Sequence, residues 1–281
     1  MKKIFLSILV LIGAVALMAC GNKADKMMEE LTSINNVYAI SAVSGVEETI
    51  NQVNEEVIVE DETNNQPKEE LSETNNLDSL LGLLNDDLFK VVELTSDNDE
   101  YTNLLEINLN KETYLFYFNE TLLDREEDDD EIEEEYLIKG IVLFNDLEFN
   151  VLGKKEVEIE DNEEEFEIEL KISLDTDNYT IIKYERETEG NELEKEFKLK
   201  TYENGKLINE IKFDFELEDD QLEIDAEIRI NNKLIKYEVK YNTNNDKGLV
   251  LYEIIENGQK TSGRLNVSVI IDGENVTYIY E

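Results

Sequence analysis

From Tyr101 to the C-terminus, apolar and charged residues alternate with a period of two. Phe166, Ile168, Leu170, Ile172 and Leu174 alternate with Glu165, Glu167, Glu169 and Lys171. Leu207, Ile211, Phe213, Phe215 and Leu217 interleave with Glu210, Lys212, Asp214 and Glu216, and Leu222, Ile224, Ala226, Ile228 and Ile230 with Glu223, Asp225, Glu227 and Arg229. Side chains on a strand point alternately to opposite faces, so each run predicts a strand with one buried and one charged face. Turn signals divide the runs: Asn204-Gly205, Asp219-Asp220, Asn231-Asn232, Asp246-Lys247-Gly248, Asn257-Gly258 and Asp272-Gly273. Asn-Gly and Asp-Gly supply the positive φ angles of two-residue hairpins. The pattern predicts roughly 12 strands in a mainly β fold, an antiparallel up-and-down meander over residues 101–281. So wide a one-sided sheet must hide its apolar face. Twist should curl it into a strongly curved sheet, half-barrel or barrel, or split it into two layers.

Residues 27–100 read differently. From Lys26 to about Glu56 the apolar residues Met27, Leu31, Ile34, Tyr38 and Ala42 recur at helical spacing, with a break expected at Ser44-Gly45. Residues 57–76 are polar, hold the only proline, Pro67, and read as a linker. Leu77, Leu80, Leu81, Leu84, Leu88 and Val91 form a second helical stripe. Both helices are expected to pack on the concave side of the sheet, in a solid core.

The N-terminus carries an address. Lys2 and Lys3 precede an unbroken apolar run from Ile4 to Ala19, followed by Cys20, the only cysteine. The run is shorter than the roughly 20 residues that span a bilayer core. With its basic start and small residue before the cut, it reads as a cleaved signal over residues 1–19. Leu17-Met18-Ala19-Cys20 resembles the lipobox of bacterial lipoproteins. That resemblance implies acyl chains on Cys20, cleavage before it, a lipidated tether over residues 20–26, and a protein held at the extracytoplasmic face of a bacterial cell membrane. Lipid on Cys20 would leave no thiol and no disulfide in the mature chain, so its core must hold it. In architecture alone, a curved meander holding helices is similar to the LolA and LolB carriers, which implies an apolar ligand such as an acyl chain.

Composition excludes several classes. The formal net charge is −43, from 69 acidic and 26 basic residues, which argues against nucleic acid. There is no histidine, so the usual general base and commonest zinc ligand are missing. No nucleophile elbow, Ser-x-x-Lys motif or phosphate loop stands out. No catalytic residue, metal ligand or cofactor is assigned. The tract Asp124-Arg125-Glu126-Glu127-Asp128-Asp129-Asp130-Glu131, continuing to Glu135, reads as a solvated hairpin loop. Asp175-Thr176-Asp177-Asn178 starts like a Ca²⁺ loop, then meets Tyr179 and reads as a turn. Tyr237, Tyr241, Tyr252, Tyr278 and Tyr280 suit strand packing or a sugar- or peptide-binding face. The sequence therefore points to a non-enzymatic lipid-anchored protein that binds an apolar ligand. A structural or protein-contact role in the envelope comes second and a hydrolase third.

Overall fold

A computed structural model describes residues 34–57, 89–109, 112–127, 131–160, 163–189, 192–218, 221–230, 232–242, 247–272 and 275–280. The described residues form one helix and fourteen strands, the strands all in one sheet. The helix is α1, Ile34–Val57. The first strands are β1 Phe89–Thr95, β2 Asn103–Leu109, β3 Glu112–Glu127, β4 Glu131–Phe144 and β5 Leu147–Glu160. Next come β6 Glu163–Ser173, β7 Tyr179–Glu189, β8 Glu192–Glu203, β9 Lys206–Glu218 and β10 Gln221–Ile230. The last are β11 Lys233–Asn242, β12 Lys247–Glu256, β13 Gln259–Asp272 and β14 Asn275–Tyr280.

The strand order in space is the order in sequence, and every pairing is antiparallel. This is the expected meander, and the sheet is not closed into a barrel: β1 and β14 stand at opposite edges. The hairpins follow from turn chemistry. Asn204-Gly205 and Asn257-Gly258 both have positive φ at each residue, 51° and 70° in the first and 50° and 79° in the second, which the two-residue type I′ turn requires. A third such turn, Asn145-Asp146, reaches φ of 47° and 64° without a glycine. Asp175 builds its turn as expected: its carboxylate accepts the backbone N–H of Asp177 and Asn178, both at 2.8 Å. Those contacts hold its carboxyl below the usual carboxylate range, the side-chain bond from Asn178 leading.

Four local expectations are corrected. Ser44-Gly45 does not break the helix; α1 runs through both. A Cβ on Gly45 would stand 2.4 Å from Ile172 Cδ1 and 2.9 Å from Ile182 Cδ1, so glycine here buys close approach of helix to sheet. The acidic tract is mostly strand: β3 extends to Glu127 and β4 resumes at Glu131, pairing Arg125 with Glu134 and Glu126 with Glu133. Lys247 and Gly248 pair with Asn242 and Tyr241 in the ladder rather than forming the turn. Val91, placed at the end of a second helix, lies in β1 opposite Ile107. The rest of that helix, the linker over 57–76 beyond Val57, and the turn residues 219–220, 231, 246 and 273 lie outside the described residues.

The core lies on the face that carries α1. From that helix come Val37, Tyr38, Ala39, Ala42, Val43 and Val46. From the sheet come, among others, Leu105, Ile107, Phe116, Ile138, Phe149, Ile168, Leu170, Ile172, Leu199 and Ile211, continuing to Leu222, Ala226, Tyr237, Val239 and Val250. Between Val37 and Thr49 every residue of α1 is buried except Ile40 and Glu47, which are half-buried. A helix hidden on nearly all sides is a core helix rather than a surface one.

Candidate functional sites on the two faces

On the outward face, strand register turns a local sequence habit into long rows. Glu126, Glu133, Glu158, Glu165, Glu187, Glu194, Glu216 and Glu223 are successive cross-strand partners from β3 to β10. One step along the strands runs a second row: Asp124, Glu135, Glu156, Glu167, Glu185, Glu196, Asp214, Asp225 and Glu238. A third row is mostly basic, with Lys154, Lys183, Lys198, Lys212 and Lys236 joined by Glu169 and Glu227. Neighbouring strands are about 4.8 Å apart and same-face residues along a strand about 6.8 Å, so the carboxylates form a regular lattice.

The basic row partly neutralises the acidic row beside it. Lys183 Nζ lies 3.0 Å from Glu167, Lys198 Nζ 3.0 Å from Glu196, and Lys212 Nζ 3.0 Å from both Glu196 and Asp214. The all-glutamate row is farther from the lysines. Among the described residues its ion pair is Glu223 with Lys240 at 2.8 Å. Partial burial raises the Glu165 carboxyl above its ordinary value, and the charges of Glu158, Glu187, Glu185 and Glu163 add to that. Asp225 is raised in the same way, by burial and then by Glu238 and Asp214. Two grooves open on this face. One of about 350 Å³ lies over Glu165, Glu187, Glu194 and Glu216, and one of about 720 Å³ over Lys212, Asp225, Lys236 and Glu253. Neither is the apolar cavity expected beneath helices.

The opposite face carries α1 and its polar anchors. Tyr38 donates to Glu120, whose other oxygen accepts Lys155 Nζ at 2.8 Å. Burial first, then the Glu120 charge, drives the Tyr38 hydroxyl far above the usual phenol range. Tyr114 donates to Glu47 at 3.0 Å and stacks on Phe144 at 4.2 Å between ring centroids. Glu48 accepts from Thr201 at 3.1 Å and from Asn209 at 3.0 Å, and Thr49 shares a 3.2 Å hydroxyl contact with Thr180. Burial raises the Glu48 carboxyl, against the two hydrogen bonds that lower it.

Among the described residues, three cations are buried on this apolar face: Lys155, Arg186 and Lys195. Arg186 and Lys195 are direct cross-strand partners. Arg186 engages Glu164 and lies over the Phe166 ring. The sequence held a signal for them. In Leu193, Lys195, Phe197, Leu199 and in Ile182, Tyr184, Arg186, Thr188 a cation occupies the inward phase of the alternation.

Cys20, the residue expected to be lipidated, lies outside the described residues, as do the side chains of Tyr278 and Tyr280. Tyr237 and Tyr241 are buried and Tyr252 half-buried, so these three belong to the packed face. The chain matches no protein-family model, no curated protein and no solved structure.

Proposed function

We propose that this chain is a non-enzymatic lipoprotein, anchored through acyl chains on Cys20 at the extracytoplasmic face of a bacterial membrane, that binds an apolar ligand in a trough formed by its sheet. The observation that carries the reading is the reach of two consecutive helix residues. Glu47 bonds to Tyr114 on β3, while Glu48 bonds to Thr201 on β8 and Asn209 on β9. In a flat sheet β3 and β9 would lie about 29 Å apart. Two neighbouring side chains of a helix seated about 10 Å above that sheet could not meet both. We therefore read the sheet as curled around α1 into a half-barrel. α1 packs mainly on β6 and β7 and more lightly on β1–β4 and β8. The same apolar face continues through β9–β12, where Phe213, Phe215, Leu217, Ile235 and Tyr252 are only half-buried. Those half-buried side chains, beside the buried Ala226, Tyr237 and Val239, are the surface we assign to the ligand.

Protein isolated from its own host, extracted and analysed by mass spectrometry, is expected to carry an apolar small molecule in stoichiometric amount. Protein that arrives empty and binds no fatty acid or lipid would remove the reading. The anchor is tested separately: Cys20→Ala should abolish incorporation of labelled fatty acid and release the chain from the membrane fraction. A second reading, a protein-contact role in the envelope, is favoured by the carboxylate rows and by β1 and β14, which pair on one side only among the described residues. Crosslinking on intact cells that captures one reproducible partner would move the function there.

A further inference from the structure

Lys195 breaks the pattern of the face that carries α1. The inward positions of β8 read Leu193, Lys195, Phe197, Leu199 and Thr201. Lys195 is 9% exposed. Among the described residues its Nζ has no hydrogen-bond partner. Its neighbours in register on the same face are Arg186 on β7 and Phe215 on β9, and the Phe215 ring centroid is 5.8 Å from Nζ. Glu194 and Glu196 flank it in sequence but point to the other face. The two other buried cations have acceptors, Lys155 in Glu120 and Arg186 in Glu164. Burial pushes the Lys195 amine down to about 8, and the Arg186 charge acts the same way. Like charges placed directly opposite destabilise a sheet, and a buried ammonium without an acceptor is costly. Among the described residues a glutamate solves this problem for Lys155, and none does so for Lys195.

We propose that Lys195, beside Arg186, receives the anionic group of an amphipathic ligand, a carboxylate or a phosphate, whose apolar part runs from the half-buried Phe215 over Phe213 and Leu217 into the stretch assigned to the ligand above. The proposal rests on the reading of the sheet as an apolar-ligand trough. The anionic group supplies the missing acceptor and separates the two cations electrostatically. A fatty acid and an anionic phospholipid share this chemistry, and the test distinguishes them.

The full chain is placed in phosphatidylcholine nanodiscs, and retention of radiolabelled oleate, dioctanoyl phosphatidylglycerol and oleyl alcohol is compared with empty nanodiscs. Oleate or phosphatidylglycerol is expected to bind roughly ten-fold more tightly than the uncharged alcohol, the gain of one charge-assisted hydrogen bond. The anion that shows this preference identifies the source. Lys195→Met is expected to erase the preference, and Lys195→Arg to keep it. Equal retention of charged and uncharged probes by the unmodified chain overturns the proposal and leaves the trough standing, and this comparison needs no variant to fold. Retention of none of the three overturns the trough reading and the proposal together. A preference that survives Lys195→Met, in protein with unchanged circular dichroism, also overturns it.

Discussion

Glu47 and Glu48 are adjacent in the chain, yet the first accepts a hydrogen bond from Tyr114 on β3 and the second from Asn209 on β9. Glu48 is the more deeply buried of the two, and burial holds its carboxyl above the ordinary value. A raised folded-state pKa means that the folded chain binds this proton more readily than the unfolded chain. The stability it contributes is then present at low pH and is lost as pH rises through the folded pKa. Glu48→Gln should therefore be more stable than the parent at pH 7, with the advantage shrinking toward pH 5. Urea midpoints across that range check it; a variant less stable at neutral pH would show that the charged form is the one the site needs.

The Glu120–Lys155 pair should behave oppositely. The Lys155 side chain is 8% exposed and that of Glu120 25%. Glu120→Gln leaves the ammonium buried without its counter-charge, and a loss of roughly 3–5 kcal/mol is expected. Adding Lys155→Met to Glu120→Gln should recover most of it. A denaturant double-mutant cycle measures the coupling, and additive losses would contradict a direct interaction.

Charge reversal within the glutamate row should stabilise the sheet. Glu187 stands in register between Glu165 and Glu194. Glu187→Lys replaces two repulsions with attractions, for a gain of roughly 0.5–1 kcal/mol. The gain should fall at 0.5 M salt, where screening already relieves the row. In the parent, Glu165 titrates above its ordinary value, from burial and then its neighbours' charges, so its contribution to stability grows as pH falls from 7. Thermal unfolding at two pH values and two salt concentrations reads both effects.

Asp146 is the weak point of its hairpin. It holds φ at 64°, where a side chain costs about 1–2 kcal/mol and glycine costs far less. Asp146→Gly should stabilise the chain by about 1 kcal/mol. Gly205→Asp, at φ 70°, should do the reverse. Chemical denaturation of both variants tests the pair.

Gly45 sets two effects against each other. Alanine in mid-helix gains about 1 kcal/mol in propensity. The added Cβ meets Ile172 Cδ1 at 2.4 Å and Ile172 Cβ at 3.0 Å, and overpacking costs roughly 1–3 kcal/mol. Gly45→Ala should therefore destabilise, and less so in an Ile172→Val background, which lacks the Cδ1. Equal losses in both backgrounds would place the clash elsewhere.

The legible part of this fold was what depends on neighbours in sequence. Alternation identified which face of β6, β9 and β10 is buried, and Asn204-Gly205 and Asn257-Gly258 located their hairpins. The misread positions depend on what lies across space. Gly45 looks like a helix stop until Ile172 and Ile182 are seen beneath it. The acidic tract looks like a loop because its charges repel, but Arg125 reaches Glu134 at 2.9 Å and the strands extend the pairing into it from both sides, as far as Glu127 and Glu131. Val91 satisfies a helical stripe and a strand equally well over so short a run. The glutamate rows were half visible. Each strand shows its own Glu-x-Glu repeat, and only the register between strands brings Glu158, Glu165, Glu187 and Glu194 into line. Lys195 was legible as a cation in the inward phase, and its lack of an acceptor among the described residues was not, since that depends on where Glu120 and Glu164 are spent.

In this meander no strand waits for a distant segment before it can pair. The sheet can grow one hairpin at a time, so its loop-closure cost is small at every step. Strand number then becomes a free variable for evolution. Deleting or duplicating a hairpin leaves each other ladder intact and preserves which face is charged. α1 sets the limit on that freedom, because Glu47 and Glu48 measure off a fixed number of strands between β3 and β9.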